Sequence, residues 1–163
     1  MNRMIRIYSL LLFLSVSFYI TNAQPPIGSD APEIKLPDSL GKWKPLSEVS
    51  SKLILIDFWA AWCYPCVKYM PDVVALYEKY KQAGLEVYAI SLDKNYYHWV
   101  DMCRKLKLPF LLVNDAYGMQ GKACKDYAIS SIPNKILIEN GKIIASNMSL
   151  YDMEKVIQKK LNK

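Results

Sequence analysis

This chain of 163 residues has one histidine and four cysteines, and those scarcities exclude several kinds of site. A zinc site built from cysteine wants about four ligands, usually two pairs. Here only Cys63 and Cys66 are paired, while Cys103 and Cys124 stand alone, so no metal is expected. A c-type haem needs histidine directly after the second cysteine. Val67 stands there instead. His98, between Tyr97 and Trp99, reads as an ordinary, partly exposed side chain. There is no internal repeat or low-complexity tract, and no cofactor is implied.

Long apolar runs are also missing, with one exception. Ile7 to Ile20 is a 14-residue apolar stretch, shorter than the roughly 20 residues a membrane span requires. Arg3 and Arg6 precede it, and the small or polar Thr21-Asn22-Ala23 follows. This layout predicts a secretory signal peptide cleaved after Ala23. The alternative is an uncleaved anchor through residues 7–20. No cysteine follows the run, so a lipoprotein would have no attachment point. The expected organisation is a leader over residues 1–23, an exposed Pro/Gly-containing linker over 24–30, and one domain over 31–163. The expected location is the periplasm.

Removing the leader takes away Arg3 and Arg6 and no acid, so the formal charge falls from +6 to +4. Only Lys155, Lys159, Lys160 and Lys163 bunch together. They read as a solvated face suited to the negative end of a helix dipole. No nucleic-acid partner is expected, and membrane contact is expected only through an uncleaved leader.

The remaining chain alternates strand and helix signals. Glu33–Leu36 and Trp43–Leu46 predict a small hairpin. Lys52–Trp59, Leu85–Leu92 and Phe110–Asn114 are apolar runs of the kind buried on both faces of a parallel sheet. Helices are predicted over Cys63–Ala83, with Pro71 inside it, and over Tyr96–Leu106 and Tyr117–Tyr127. Lys135–Glu139 and Lys142–Asn147 flank an Asn140-Gly141 turn and form an antiparallel hairpin. Ser149 caps a last helix over Tyr151–Leu161. The fold class is α/β: a central mixed sheet with helices on both faces, parallel at its centre.

The cysteine pair lies where a buried strand ends and a helix begins. A disulfide across two intervening residues closes a tiny loop and constrains little of the unfolded chain, so stability is a poor reason for it. Unpaired N–H groups and the helix dipole at that junction stabilise a thiolate. Cys63, at the helix start, is the expected nucleophile, and Cys66, one turn in, the expected resolving thiol. Pro65 suits the first helical turn.

Trp62-Cys63-Tyr64-Pro65-Cys66 behind Asp57-Phe58-Trp59-Ala60 resembles the active site of thioredoxins. Tyr127-Ala128-Ile129-Ser130-Ser131-Ile132-Pro133, before a strand and Asn140-Gly141-Lys142, resembles their cis-proline segment. The strand–helix insertion between Lys94 and Ala116, the amino-terminal hairpin and the leader resemble the TlpA/ResA-type branch, over Ala31 to Leu161. The resemblance implies a thioredoxin-like three-layer sandwich. It implies Trp62 as a wall beside the sulfur, a cis Pro133 facing the pair, and an Ile132 backbone that pairs with substrate. Tyr64 and Pro65 join that substrate surface, and Asp57 becomes the buried acid that takes a proton from Cys66. Tyr64, Tyr69 and Asn134 depart from the branch's usual residues.

The implied activity is thiol–disulfide exchange, in the reducing direction, on disulfide-containing client proteins, with a membrane thiol donor as recharging partner. Alternatives are a thiol oxidase, a peroxiredoxin-like peroxidase, or a non-catalytic thioredoxin-fold binding module. A peroxidase wants Thr or Ser where Ala60 stands. For Cys103 and Cys124 three readings stay open: a second disulfide, buried free thiols, or an auxiliary redox role.

Overall fold

The computed structural model describes residues 23–161, so the expected leader, apart from Ala23, lies outside the described residues. Strands β1 (Lys35–Pro37) and β2 (Trp43–Pro45) form the expected antiparallel hairpin. The Asp38 carboxylate closes its turn by accepting the Leu40 and Lys42 N–H groups at 2.8 and 2.9 Å.

All seven residues of β3 (Leu53–Trp59) are buried. A run of Leu, Ile and aromatics tolerates burial on both faces only as an interior strand. From it the chain enters α1 (Tyr64–Tyr80), which buries Cys66, Met70, Val73, Leu76 and Tyr80. That three- and four-residue spacing makes one apolar stripe. Val67, Val74 and Tyr77 lie at its half-buried margins. Pro71 sits within α1 without ending it. Gly84, at φ 111°, ends the turn after the helix, a left-handed conformation that glycine adopts without strain.

Next come β4 (Leu85–Ser91), α2 (Tyr96–Lys105) and β5 (Leu111–Asn114). Asn95 caps α2 by accepting the His98 N–H at 3.1 Å. The single helix expected over Tyr117–Tyr127 is broken: a 3-10 turn spans Gly118–Gln120, and only Lys122–Asp126 is α-helical, as α3. Gly121 makes the break in an extended conformation, φ −66° and ψ 161°. Its backbone is pressed so close to Asp115 that a Cβ there would lie 1.9 Å from Oδ2.

β6 (Asn134–Glu139) and β7 (Lys142–Ser146) follow, then α4 (Leu150–Leu161). Ser149 caps α4: its Oγ accepts the Asp152 N–H at 3.1 Å. The five-stranded sheet has the order β5-β4-β3-β6-β7, with β3, β4 and β5 parallel and β6 and β7 antiparallel.

Alternation along β3 assigns the layers. Asp57 faces Lys135, and Lys135 lines a groove between α1 and α4. Phe58 points to the opposite face, where its ring packs 5.9 Å from that of Tyr127, just after α3. Helices therefore cover both faces. The β1–β2 hairpin joins the Phe58 side, where the Tyr88 hydroxyl donates to the Lys44 carbonyl and the Tyr127 hydroxyl to that of Pro32. Within residues 24–30, expected as a linker, Gly28–Asp30 pair with the outer edge of β7. Gly28 N–H donates to Ile143 O at 2.7 Å, and Ile143 N–H donates to Ser29 O at 3.0 Å. An otherwise open strand edge is thereby covered.

Candidate active site

The end of β3 delivers the chain through Ala60, Ala61 and Trp62 to Cys63, the N-cap residue of α1 at φ −85° and ψ 95°. Cys63 and Cys66 are joined by a disulfide, with Cα atoms 5.2 Å apart. The Cys66 N–H points at Cys63 Sγ, 3.3 Å away. It is one of the first-turn N–H groups that a helix leaves without a backbone partner. Pro65 occupies the first turn and gives up no needed bond. The arrangement equips Cys63 Sγ to carry negative charge, because a directed N–H and the positive helix end both face it.

The Ile132–Pro133 bond is cis, and the Ile132 carbonyl oxygen lies 4.0 Å from Cys63 Sγ. Two segments far apart in sequence therefore meet at the cysteine pair. Around it, Trp62 is 58 % and Tyr64 75 % exposed, although both are aromatic. Pro133 lines one end of a groove of about 700 Å³, walled by Tyr69, Leu76, Met148 and Leu150.

Asp57 is the register partner of Lys135 across β3 and β6. Their side chains meet at 3.1 Å between Oδ1 and Nζ, an ion contact without hydrogen-bond alignment. Burial pushes the Asp57 carboxyl above its ordinary value, and the Lys135 charge opposes that push only in part.

Cys103 and Cys124 are free thiols: the second disulfide considered for them is not formed. Burial pushes their thiols up to about 12 and about 11, respectively.

Two residues near the site escaped the sequence reading. Lys135 was legible in principle, as a lone charge at the head of an apolar strand two residues past Pro133. Asp93, whose carboxylate accepts the Ala61 N–H at 2.8 Å, left no signal, since an aspartate after a strand is an ordinary loop residue.

The fold and the cysteine pair at its strand–helix junction define a thiol-disulfide oxidoreductase of the thioredoxin-like class. The chain belongs to the AhpC/TSA family, whose model matches residues 27–147. It is similar to the thiol-disulfide oxidoreductase ResA of Bacillus thuringiensis subsp. konkukian, 32% identical over 128 residues, 78% of this chain and 72% of that protein. To the ResA of Geobacillus kaustophilus it is 29% identical over 146 residues, covering 87% and 82% of the two chains. Among solved structures it resembles the thioredoxin domain of a thiol-disulfide oxidoreductase from Bacteroides vulgatus. There the TM-score is 0.77 at 28% identity, covering 85% of this chain and 99% of that one. A thiol:disulfide interchange protein from Bacteroides sp. gives a TM-score of 0.78 at 27% identity, with 88% and 93% covered.

Proposed function

We propose that this protein is an exported reductase of protein disulfides. The observation that carries this reading is the placement of Cys63 Sγ, between the Cys66 N–H at 3.3 Å and the Ile132 carbonyl at 4.0 Å. In the reduced protein the Cys63 thiolate attacks one sulfur of a client disulfide and expels the other as a thiolate. The resulting mixed disulfide is attacked by Cys66, which re-forms the Cys63–Cys66 bond and releases the second client thiolate. The client gains two electrons and the protein loses two. Asp57 takes the Cys66 proton, and the released thiolates are protonated by water.

An extended client segment lies over Trp62, Tyr64 and Pro65 and pairs with the backbone at Ile132, beside Pro133. A membrane thiol donor then restores the dithiol. Residues 1–23 act as the export leader, so the working protein lies in the periplasm. Residues 7–20 are the anchor if the leader is kept, and the catalytic domain spans residues 31–163.

The test is a pair of measurements. Cys66→Ser should accumulate mixed disulfides through Cys63, and the wild-type potential should lie near the thioredoxin figure of about −270 mV. Full turnover in Cys66→Ser would remove its resolving role. A potential near about −120 mV would reverse the direction to oxidation.

A further inference from the structure

Asp93 lies just past the end of β4, with only 1% of its surface exposed. Its Oδ2 accepts the Ala61 N–H at 2.8 Å and the Ser91 hydroxyl at 2.8 Å. The Ser91 Oγ in turn accepts the Asp93 N–H at 3.1 Å. Asn114, at the end of β5, donates its Nδ2 to the carbonyls of Asp93 and Ser91 at 2.9 and 3.2 Å. Ser91, at the end of β4, thus holds the carboxylate, Asn114 braces the Ser91–Asp93 backbone beside it, and the carboxylate's other contact is the loop that carries Cys63.

That loop is pinned twice. Within it, the Cys63 N–H donates to the Ala60 carbonyl at 3.1 Å. From outside, Asp93 holds the N–H of Ala61. Together these bonds set the backbone that leaves Cys63 at φ −85° and ψ 95° as the N-cap, with the Cys66 N–H aimed at its sulfur.

The second oxygen of Asp93 has no hydrogen-bond partner among the described residues. It lies 3.9 Å from His98 Nδ1, where Trp62, Asp93 and His98 line a cavity of about 470 Å³.

We propose that Asp93 is a positioning residue for the redox centre. Its hydrogen bond to the Ala61 N–H holds the turn that keeps Cys63 where the Cys66 N–H stabilises the thiolate. Asp93 touches neither reacting sulfur; it acts through the backbone. The proposal rests on Cys63 being the attacking thiolate.

Two variants isolate the hydrogen bond, because both remove the charge. In Asp93→Asn the amide oxygen can still accept from Ala61 and Ser91, and the amide NH₂ can face His98 Nδ1. In Asp93→Ala the tether is gone. The pH midpoint for alkylation of reduced Cys63 is expected to be higher in Asp93→Ala than in Asp93→Asn. Disulfide-reduction kcat/KM is expected to be about fivefold lower, the scale of one net hydrogen bond.

Coincidence of the two variants in midpoint and rate overturns the proposal. If Asp93→Ala fails to fold, Asp93→Ser takes its place: its hydroxyl ends one bond short of where Oδ2 meets the Ala61 N–H, and a midpoint and rate equal to those of Asp93→Asn overturn the proposal. Wild-type alkylation that lands first on Cys66 would sink the role of Cys63, a failure separate from that of Asp93.

Discussion

Asp57 and Lys135 face each other from adjacent antiparallel strands, 3.1 Å apart and almost wholly buried. Removing one member of a buried ion pair leaves the other charged and unpaired, which costs about 3–5 kcal/mol. Asp57 can escape part of that cost by taking a proton. Its folded value is already raised, so the folded protein holds that proton more tightly than the unfolded chain does. The resulting stability is full below the unfolded value of about 3.9 and is lost as pH rises through the folded value.

Lys135→Met removes the charge that opposes the rise and so extends the loss to higher pH. The variant is therefore expected to differ little from wild type at acid pH and to fall progressively behind it toward alkaline pH. Urea midpoints at pH 5 and pH 9 measure this. A deficit of equal size at both values would show that Asp57 does not titrate against Lys135.

Cys103 and Cys124 are expected to be silent. Their thiols are pushed up to about 12 and about 11, so at pH 8 the thiolate fractions are about 10⁻⁴ and 10⁻³. Burial is the larger cause in both, with the Asp93 charge adding to it for Cys103 and the Asp115 charge for Cys124. Iodoacetamide on the reduced native protein should label Cys63 long before either. The double variant Cys103→Ala/Cys124→Ala should keep the wild-type reduction potential. A Cys103–Cys124 bridge found by mass spectrometry after a non-reducing digest would refute this.

Trp62 offers a contrast between stability and function. Its ring is 58 % exposed, so truncation removes little core, and Trp62→Ala should leave stability within about 0.5 kcal/mol of wild type. If the ring walls the client surface, its loss should raise KM for a protein disulfide severalfold. The rate with a small disulfide, which needs no such wall, should hold. Equal losses with both substrates would move Trp62 out of client binding.

Much of this was legible because the signals were periodic or local. The run Leu53–Trp59 could be buried only as an interior strand, and the cysteine pair after it had to open a helix. Pairing across the sheet was a different matter. That Lys135 meets Asp57 depends on the β3–β6 register, which no local pattern encodes until both strands are placed. Asp93 depends on three loop ends converging, and its sequence neighbours reveal nothing of Ala61. The free edge of β7 likewise attracted Gly28–Asp30, part of a stretch whose proline and glycine content reads as linker. Tyr117–Tyr127 misled for the opposite reason: its composition suits a helix, and tertiary contact overrides it at Gly121.

Gly121 gives the sharpest stability test. Its φ of −66° and ψ of 161° are open to any residue, so no backbone strain argues for glycine. Space does. A Cβ would lie 1.9 Å from Asp115 Oδ2 and 2.3 Å from its Cγ. Asp115 has little freedom to yield, being 3% exposed, with Oδ1 accepting the Tyr117 N–H at 3.1 Å. Gly121→Ala must displace that carboxylate or the start of α3, and overpacking of this kind costs about 1–3 kcal/mol. Gly121→Ala/Asp115→Ala removes the obstructing group and should recover part of the loss, since contacting residues are not additive. Chemical denaturation of the two variants and of Asp115→Ala completes the cycle. Strict additivity would mean that the glycine is needed for something other than room beside Asp115.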